Sequence, residues 1–289
     1  MHVVMSCALA CALGSASAFA PAALGKLGVA PRTHLALTGS NARPNPRAVS
    51  DTKMDMGVVS TLAGVPLMYA LMSVNEYITH RYYQHNEIGK VELYQTLRKM
   101  DKIPKLDGGG HVEHHAETYD DMQLKTDNKV WMNSKPAQRL NGDPWRGTIF
   151  TWQVTAMMFM QCIPSVYLLF FLLGWTPLAT TMLFIPAMIL HGLVWNTLHP
   201  HMHGLPDVPA SVGLPSSVFA FARGSKVFEF LRLNHVGHHV ASGAANYNVC
   251  CPGMDHLVGT FMTEKEWTPK IRHREAKEIA GAMPSSAMY

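Results

Sequence analysis

The chain has 289 residues and a formal net charge of +4, and only 15% of it is Asp, Glu, Lys or Arg, against roughly 25% in an ordinary soluble domain. So small a positive charge, part of it in the first fifty residues, gives no ground for a nucleic-acid partner. The five cysteines form no CxxC pair, so nothing points to a disulfide framework or a thiolate zinc site, and there is no P-loop or dinucleotide fingerprint.

Residues 1–50 contain no Asp or Glu. An apolar run over 3–13 leads into Ala16-Ser17-Ala18, an A-x-A cleavage pattern, so 1–18 reads as a signal peptide. Residues 19–50 are rich in Ala, Pro, Ser and Thr, with scattered Lys26, Arg32, Arg43 and Arg47, and read as a transit-type presequence. The string Ala16-Ser17-Ala18-Phe19-Ala20-Pro21 resembles the Ala-Phe junction of bipartite presequences in algae with red-type secondary plastids. A plastid membrane is the expected location, with the endoplasmic reticulum membrane as the alternative. The main domain is expected over 51–262 and a tail over 263–289.

An uncharged run over 57–75 is 19 residues long, close to the ~20 needed to cross a bilayer. His80 and His85 follow it. The connecting segment 78–146 carries eleven Lys and Arg beside ten acids, which favours the cytoplasm-like, here stromal, side. Within it, Gly108-Gly109-Gly110 reads as a hinge before His111, His114 and His115. From 147 to 190 there are 44 residues without Asp, Glu, Lys, Arg or His. That predicts a hairpin of two spans turning at Gly174-Trp175-Thr176-Pro177. Its Met157, Met158, Phe159, Met160, Phe170 and Phe171 could line an acyl or isoprenoid channel, or simply pack and face lipid.

The hairpin delivers His191, His199, His201 and His203. The apolar stretch 211–222, interrupted by Gly213 and Pro215, is too short to cross and should lie in the interface. From 223 to 234, Lys226, Glu229 and Arg232 alternate with apolar residues, predicting an interfacial helix that presents His235, His238 and His239 at its end. Counting crossings places every histidine cluster on one membrane face. The expected fold is all-α: an integral membrane helical bundle of about three to four spans with a His-rich di-metal cap on one face.

Twelve of the sixteen histidines fall in these four clusters, and imidazole is the commonest protein ligand for transition metals. Two clusters share the pattern HxxHH, at 111–115 and 235–239. Positions i, i+3 and i+4 share one helix face, so the repeat suggests two half-sites for two metals. Glu76, Glu113, Glu117, Asp120 and Asp121 are candidate carboxylates to orient the rings through their second nitrogens.

Glu76-Tyr77-Ile78-Thr79-His80-Arg81-Tyr82-Tyr83-Gln84-His85 resembles the E-x-x-x-H-R-x-x-x-H signature of membrane fatty acid and carotene hydroxylases, whose companion motif is HxxHH. Asn246-Tyr247-Asn248 through Asp255 to Gly259-Thr260 resembles the ending of the fatty acid hydroxylase/sterol desaturase superfamily. The resemblance covers residues 57–262. It implies a membrane helical bundle with a histidine-ligated di-iron centre that uses O2 to attack an unactivated C–H bond of a lipid, fatty acyl or sterol-like, as a monooxygenase. Carried over residue by residue, it implies His80, His85, His111, His114, His115, His199, His203, His235, His238 and His239 as metal ligands. The third box departs from the family's HxxxH by the added His201 and the upstream His191. His191 is expected as an extra or outer partner, and His201 as a bystander. No flavin, nicotinamide or fused haem motif is present, so an external electron donor is expected, a ferredoxin or a cytochrome-b type protein. Carotenoid ring hydroxylation is the rival within the class. A His-rich metal transporter or a non-catalytic metal-binding membrane protein is the rival outside it.

Overall fold

The computed structural model describes residues 46–103, 105–126 and 128–271, with side chains described from Leu62 onward. The signal peptide, the presequence up to residue 45, and the tail beyond residue 271 with His273 lie outside the described residues. Helix α1 spans Pro46–Ile78 and runs into a π-helical turn, Thr79–Gln84. Three short helices follow in the connecting segment beyond α2 (Glu92–Lys99): α3 (His111–Glu117), α4 (Lys129–Met132) and α5 (Lys135–Leu140). The long pair α6 (Trp152–Leu172) and α7 (Pro177–Met202) precedes a 3-10 segment, Ser216–Gly224, then α8 (Lys226–Val240) and α9 (Met254–Val258). Among the described residues there is no strand, only two isolated β-bridges, so the all-α expectation holds.

The hairpin turns where the sequence places it. α6 ends in a Schellman motif: Gly174 takes φ +78°, its N–H donates to Phe171 O at 2.9 Å, and Trp175 N–H donates to Phe170 O at 2.9 Å. The Trp175 ring meets Phe170 edge-on, 4.9 Å between centroids, which is the hydrophobic contact that accompanies such a cap. Thr176 then caps α7 through Ala179 N–H, with Pro177 in the first turn, where its missing N–H costs nothing.

α6 and α7 are long and apolar enough to cross a membrane. Their inward faces, with Met158, Val166, Phe170, Phe184, Met188 and Trp195, pack with Met68 and Met72 of α1 into one core. Their outward faces leave Phe171 71% and Leu178 72% exposed, a surface suited to lipid. Met158 and Phe170 are therefore packing residues, while Met160 and Phe171 face outward. A polar contact also joins the helices. Gln161 Nε2 supplies it, donating to Asn75 Oδ1 at 2.5 Å and Thr79 Oγ1 at 3.3 Å across α6 and α1.

α8 begins at Ser225, whose hydroxyl accepts from Phe228 N–H. Phe228 and Leu231 turn inward, while Val227 and Phe230 are exposed beside the outward Phe221. The helix is thus apolar on both sides at its start and carries its histidines on the fully buried last two turns.

Candidate metal centre

Ten imidazoles gather where α3, the end of α7 and the end of α8 meet the π-turn. The turn itself solves a spacing problem. An α-helix advances about 100° per residue, so His80 and His85 would point about 140° apart on one. Here His85 N–H reaches back five residues to His80 O at 2.9 Å, the i→i+5 bond of a π-bulge. That extra residue per turn brings both rings to one side, 5.0 Å between centroids.

The rings sort into two adjacent groups. His80, His85, His111, His115 and His238 form one, and His114, His199, His203 and His239 the other. His235 joins the second group, its Nε2 lying 3.1 Å from His239 Nε2 and 3.3 Å from His203 Nε2. The expectation of one half-site per HxxHH therefore needs correction. Each motif straddles both groups: the first sends His111 and His115 one way and His114 the other, and the second sends His238 one way and His235 and His239 the other. In both motifs positions i and i+4 share a group while i+3, His114 in the first and His238 in the second, turns to the neighbouring one.

The hydrogen bonds fix which nitrogen faces inward. His80 Nδ1 donates to Tyr247 O at 2.5 Å, His111 Nδ1 to Gly147 O at 2.6 Å, His238 Nδ1 to Ala245 O at 2.6 Å, and His203 Nδ1 to Met122 O at 3.0 Å. His199 Nδ1 bonds to Thr148 O. A carbonyl cannot donate, so each of these Nδ1 atoms carries the proton, and in the neutral ring Nε2 is a bare lone pair. Yet His80 Nε2 and His111 Nε2 lie 2.8 Å apart, fully buried. Two lone pairs at that distance repel unless a cation sits between them.

The spacing fits that cation. Imidazole nitrogens about 2.1 Å from a shared metal lie about 3.0 Å apart at right angles and about 3.4 Å apart at the tetrahedral angle. The inward contacts in the two groups run from 2.8 Å for His80–His111 to 3.3 Å for His203–His235. His199 Nε2 is buried with no hydrogen-bond partner, as expected of a ligand atom aimed at an ion.

For these five rings orientation comes from backbone carbonyls, not from the carboxylates expected to do it. Glu113 instead pairs with Arg139 at 2.6 Å, Asp121 accepts from Gln123 N–H, and Glu76 binds a distant turn. Two clamps hold the carbonyls in place. Asn196 of α7 accepts from Phe150 N–H at 2.8 Å and donates to Leu214 O at 3.0 Å, fixing the segment with the Gly147 and Thr148 carbonyls. Asn246 donates to Asn234 O and Met262 O, and Asn248 is tied to Ser73 and Asp255, fixing the loop with the Ala245 and Tyr247 carbonyls. The Asn-Tyr-Asn to Gly-Thr ending thus acts on the rings without touching a metal. Replacing Asn246 by alanine is expected to weaken metal retention by about 10–100-fold, the range for outer partners of metal ligands; competition with a chelator measures it.

The glycine run is a close approach rather than the expected hinge. A side chain on Gly108, at φ +68°, would run into the Gln84 carbonyl oxygen. The run brings the start of α3 directly against the π-turn, so His111 reaches His80.

Burial pushes the imidazoles away from protonation, His111 to about 4 and His203 and His238 to about 3, with backbone hydrogen bonds opposing the shift only in part. Neutral rings are what a metal needs. The sign for stability follows from linkage: in the unfolded chain these rings take up protons below about 6.5, while the folded chain resists until pH falls to the lowered values. Metal-free protein in detergent should therefore lose thermal stability progressively as pH drops from 6.5 toward 4. A melting temperature unchanged between pH 7.5 and pH 5 would contradict buried neutral rings.

His191 lies apart from both groups, next to Glu76 and Cys251. His201 is exposed against Phe228, as expected of a bystander. His256 is exposed and stacks on Phe261.

No model of a known protein family, no curated protein and no solved structure matches the chain. The buried histidine clusters that could hold metal, and the two apolar helices, stand on the chain's own geometry.

Proposed function

We propose that this protein is a membrane-bound di-iron oxygenase of the fatty acid hydroxylase/sterol desaturase type, hydroxylating an unactivated C–H bond of a lipid, fatty acyl or sterol-like. The observation that carries the reading is the buried 2.8 Å contact of His80 Nε2 with His111 Nε2 when both Nδ1 atoms are committed to carbonyls. Ten neutral imidazoles in two adjoining groups suit two iron ions, His80, His85, His111, His115 and His238 holding one and His114, His199, His203, His235 and His239 the other. Iron bound in this way supplies oxygen chemistry strong enough for an unactivated C–H bond. The overall change is R–H + O2 + 2 e⁻ + 2 H⁺ → R–OH + H2O, and the electrons come from an external donor, a ferredoxin or a cytochrome-b type protein.

The residues of the chain do the holding, orienting and shielding. The Gly147, Thr148, Ala245 and Tyr247 carbonyls hold the ring tautomers. Trp195, fully buried, lies edge-on to His80 at 5.6 Å and closes the centre on its apolar side. In this reading α1 joins α6 and α7 as a third span, the Ser216–Gly224 segment lies in the interface, and the substrate reaches the centre from the bilayer. The membrane is that of a plastid, with the endoplasmic reticulum as the alternative.

The test is to express residues 51–289 in a membrane host with a ferredoxin and its reductase. Lipids are then extracted after incubation under 18O2. A lipid carrying one 18O atom, absent without O2 and unchanged in His201→Ala, is the expected result. Product without 18O, or metal uptake into vesicles with no oxidised lipid, would reject the oxygenase reading.

A further inference from the structure

Glu76, His191 and Cys251 offer one oxygen, one nitrogen and one sulfur, all within 4.8 Å of one another. They come from α1, from α7 and from the loop before α9, and meet inside the bundle. The Glu76 side chain is fully buried and that of His191 is 2% exposed. His191 Nε2 has no hydrogen-bond partner, and Glu76 Oε2, its nearest carboxylate oxygen, is 3.5 Å away, too far for a good hydrogen bond. An unpartnered buried nitrogen facing a buried carboxylate needs an explanation. His191 precedes His199 by eight residues on α7, about 12 Å along the helix, so the ten-histidine centre does not supply one.

We propose that Glu76, His191 and Cys251 hold a third cation, a transition-metal ion of the zinc or iron(II) class, in a site separate from the ten-histidine centre. The donor set selects the class. Thiolate, imidazole and carboxylate together are the ligands of zinc and its neighbours, whereas calcium and magnesium take oxygen alone. Charge also balances: one carboxylate and one thiolate neutralise a divalent ion, which matters at a largely buried site. Glu76 is already fixed for the task, since Val249, Cys250 and Cys251 N–H donate to its two oxygens at 2.7 to 2.9 Å. Those bonds place the Cys251 sulfur beside the carboxylate; Val249 and Cys250 fill Oε1, while Oε2, the oxygen facing His191, accepts only from Cys251 and keeps a further lone pair. The ion would tie α1 and α7 to the loop that carries the Tyr247 carbonyl, the acceptor of His80 Nδ1. The three donors leave a fourth position open, and the site does not depend on what the ten-histidine centre does.

Cobalt(II) exchanged into the full-length protein provides the readout, because cysteine ligation gives an intense near-ultraviolet thiolate-to-cobalt band that histidine ligation does not. The band is expected in the unaltered chain and lost in Cys251→Ser, and total metal should fall by one equivalent in Cys251→Ser and in His191→Ala. The His238→Ala chain should keep the band while losing metal from the other centre, so failure of the di-metal reading and failure of this one give different patterns. No band in the unaltered protein, or a band that survives Cys251→Ser, overturns the site.

Discussion

Replacing His238 by alanine is expected to lower oxygen-dependent lipid oxidation at least about 100-fold and to release metal, the largest single loss in activity. Substitution of an outer partner of a metal ligand already costs about 10–100-fold, and His238 stands closer than that. Its Nε2 lies 3.0 Å from both His85 Nε2 and His115 Nε2, so it joins two motifs to the same point. Its Nδ1 is held by Ala245 O at 2.6 Å, which leaves the ring no other use for the inward nitrogen. Metal content by mass spectrometry and turnover should fall together. His201→Ala, altering an exposed ring in the same family of clusters, should change neither. Full activity with normal metal content in His238→Ala would sink the di-metal reading.

Glu76→Ala is expected to be the most damaging change to the fold. Its carboxylate alone accepts from three consecutive backbone N–H groups, those of Val249, Cys250 and Cys251. Alanine would strand these donors around a fully buried position. An unpaired buried donor costs about 1–3 kcal/mol, so the three together cost on the order of 3–9 kcal/mol, a large part of the 5–15 kcal/mol that holds a typical domain. For a chain of this size the melting temperature should fall by roughly 10 °C or more, followed by circular dichroism in detergent. Glu76→Gln keeps one acceptor oxygen and should recover part of that loss. A melting temperature for Glu76→Ala within about 2 °C of the unaltered protein would show that water or a rearranged turn satisfies the donors.

Much of the centre was legible from local rules. An uncharged stretch twice the length of a span, punctuated by Gly174 and Pro177, has few ways to fold other than as a hairpin, and the Schellman cap at Gly174 realises it. Imidazoles in repeated short spacings reveal themselves by composition, and all ten expected ligands fall in the two groups. His201 stands apart because the resemblance implies HxxxH there, which His199 and His203 fit, and the structure leaves His201 exposed.

What was missed depends on partners far away in sequence. A five-residue spacing says nothing of a π-turn, since the inserted residue depends on what packs against it. Carboxylates look like ring-orienting groups because they carry charge. Every residue also has a backbone carbonyl, so no composition distinguishes Gly147 or Tyr247 as the acceptor. The three glycines before His111 read as flexible because the backbone they must pass, at Gln84, lies more than twenty positions away. Glu76, His191 and Cys251 share no short motif, so only the fold brings their three donor atoms within 4.8 Å of one another.

The sequence by itself determined the all-helical class, the apolar hairpin and the histidine clusters that could hold metal, because these follow from hydropathy over one helix length and from the few residue types that bind transition metals. Only the tertiary structure decided how each HxxHH divides between two groups, which nitrogen of each ring faces inward, and where His191 belongs. Those outcomes depend on contacts that no short motif encodes, up to 167 positions apart for His80 and Tyr247, and for five of the rings the direction is set by the carbonyl that packing brings to the other side.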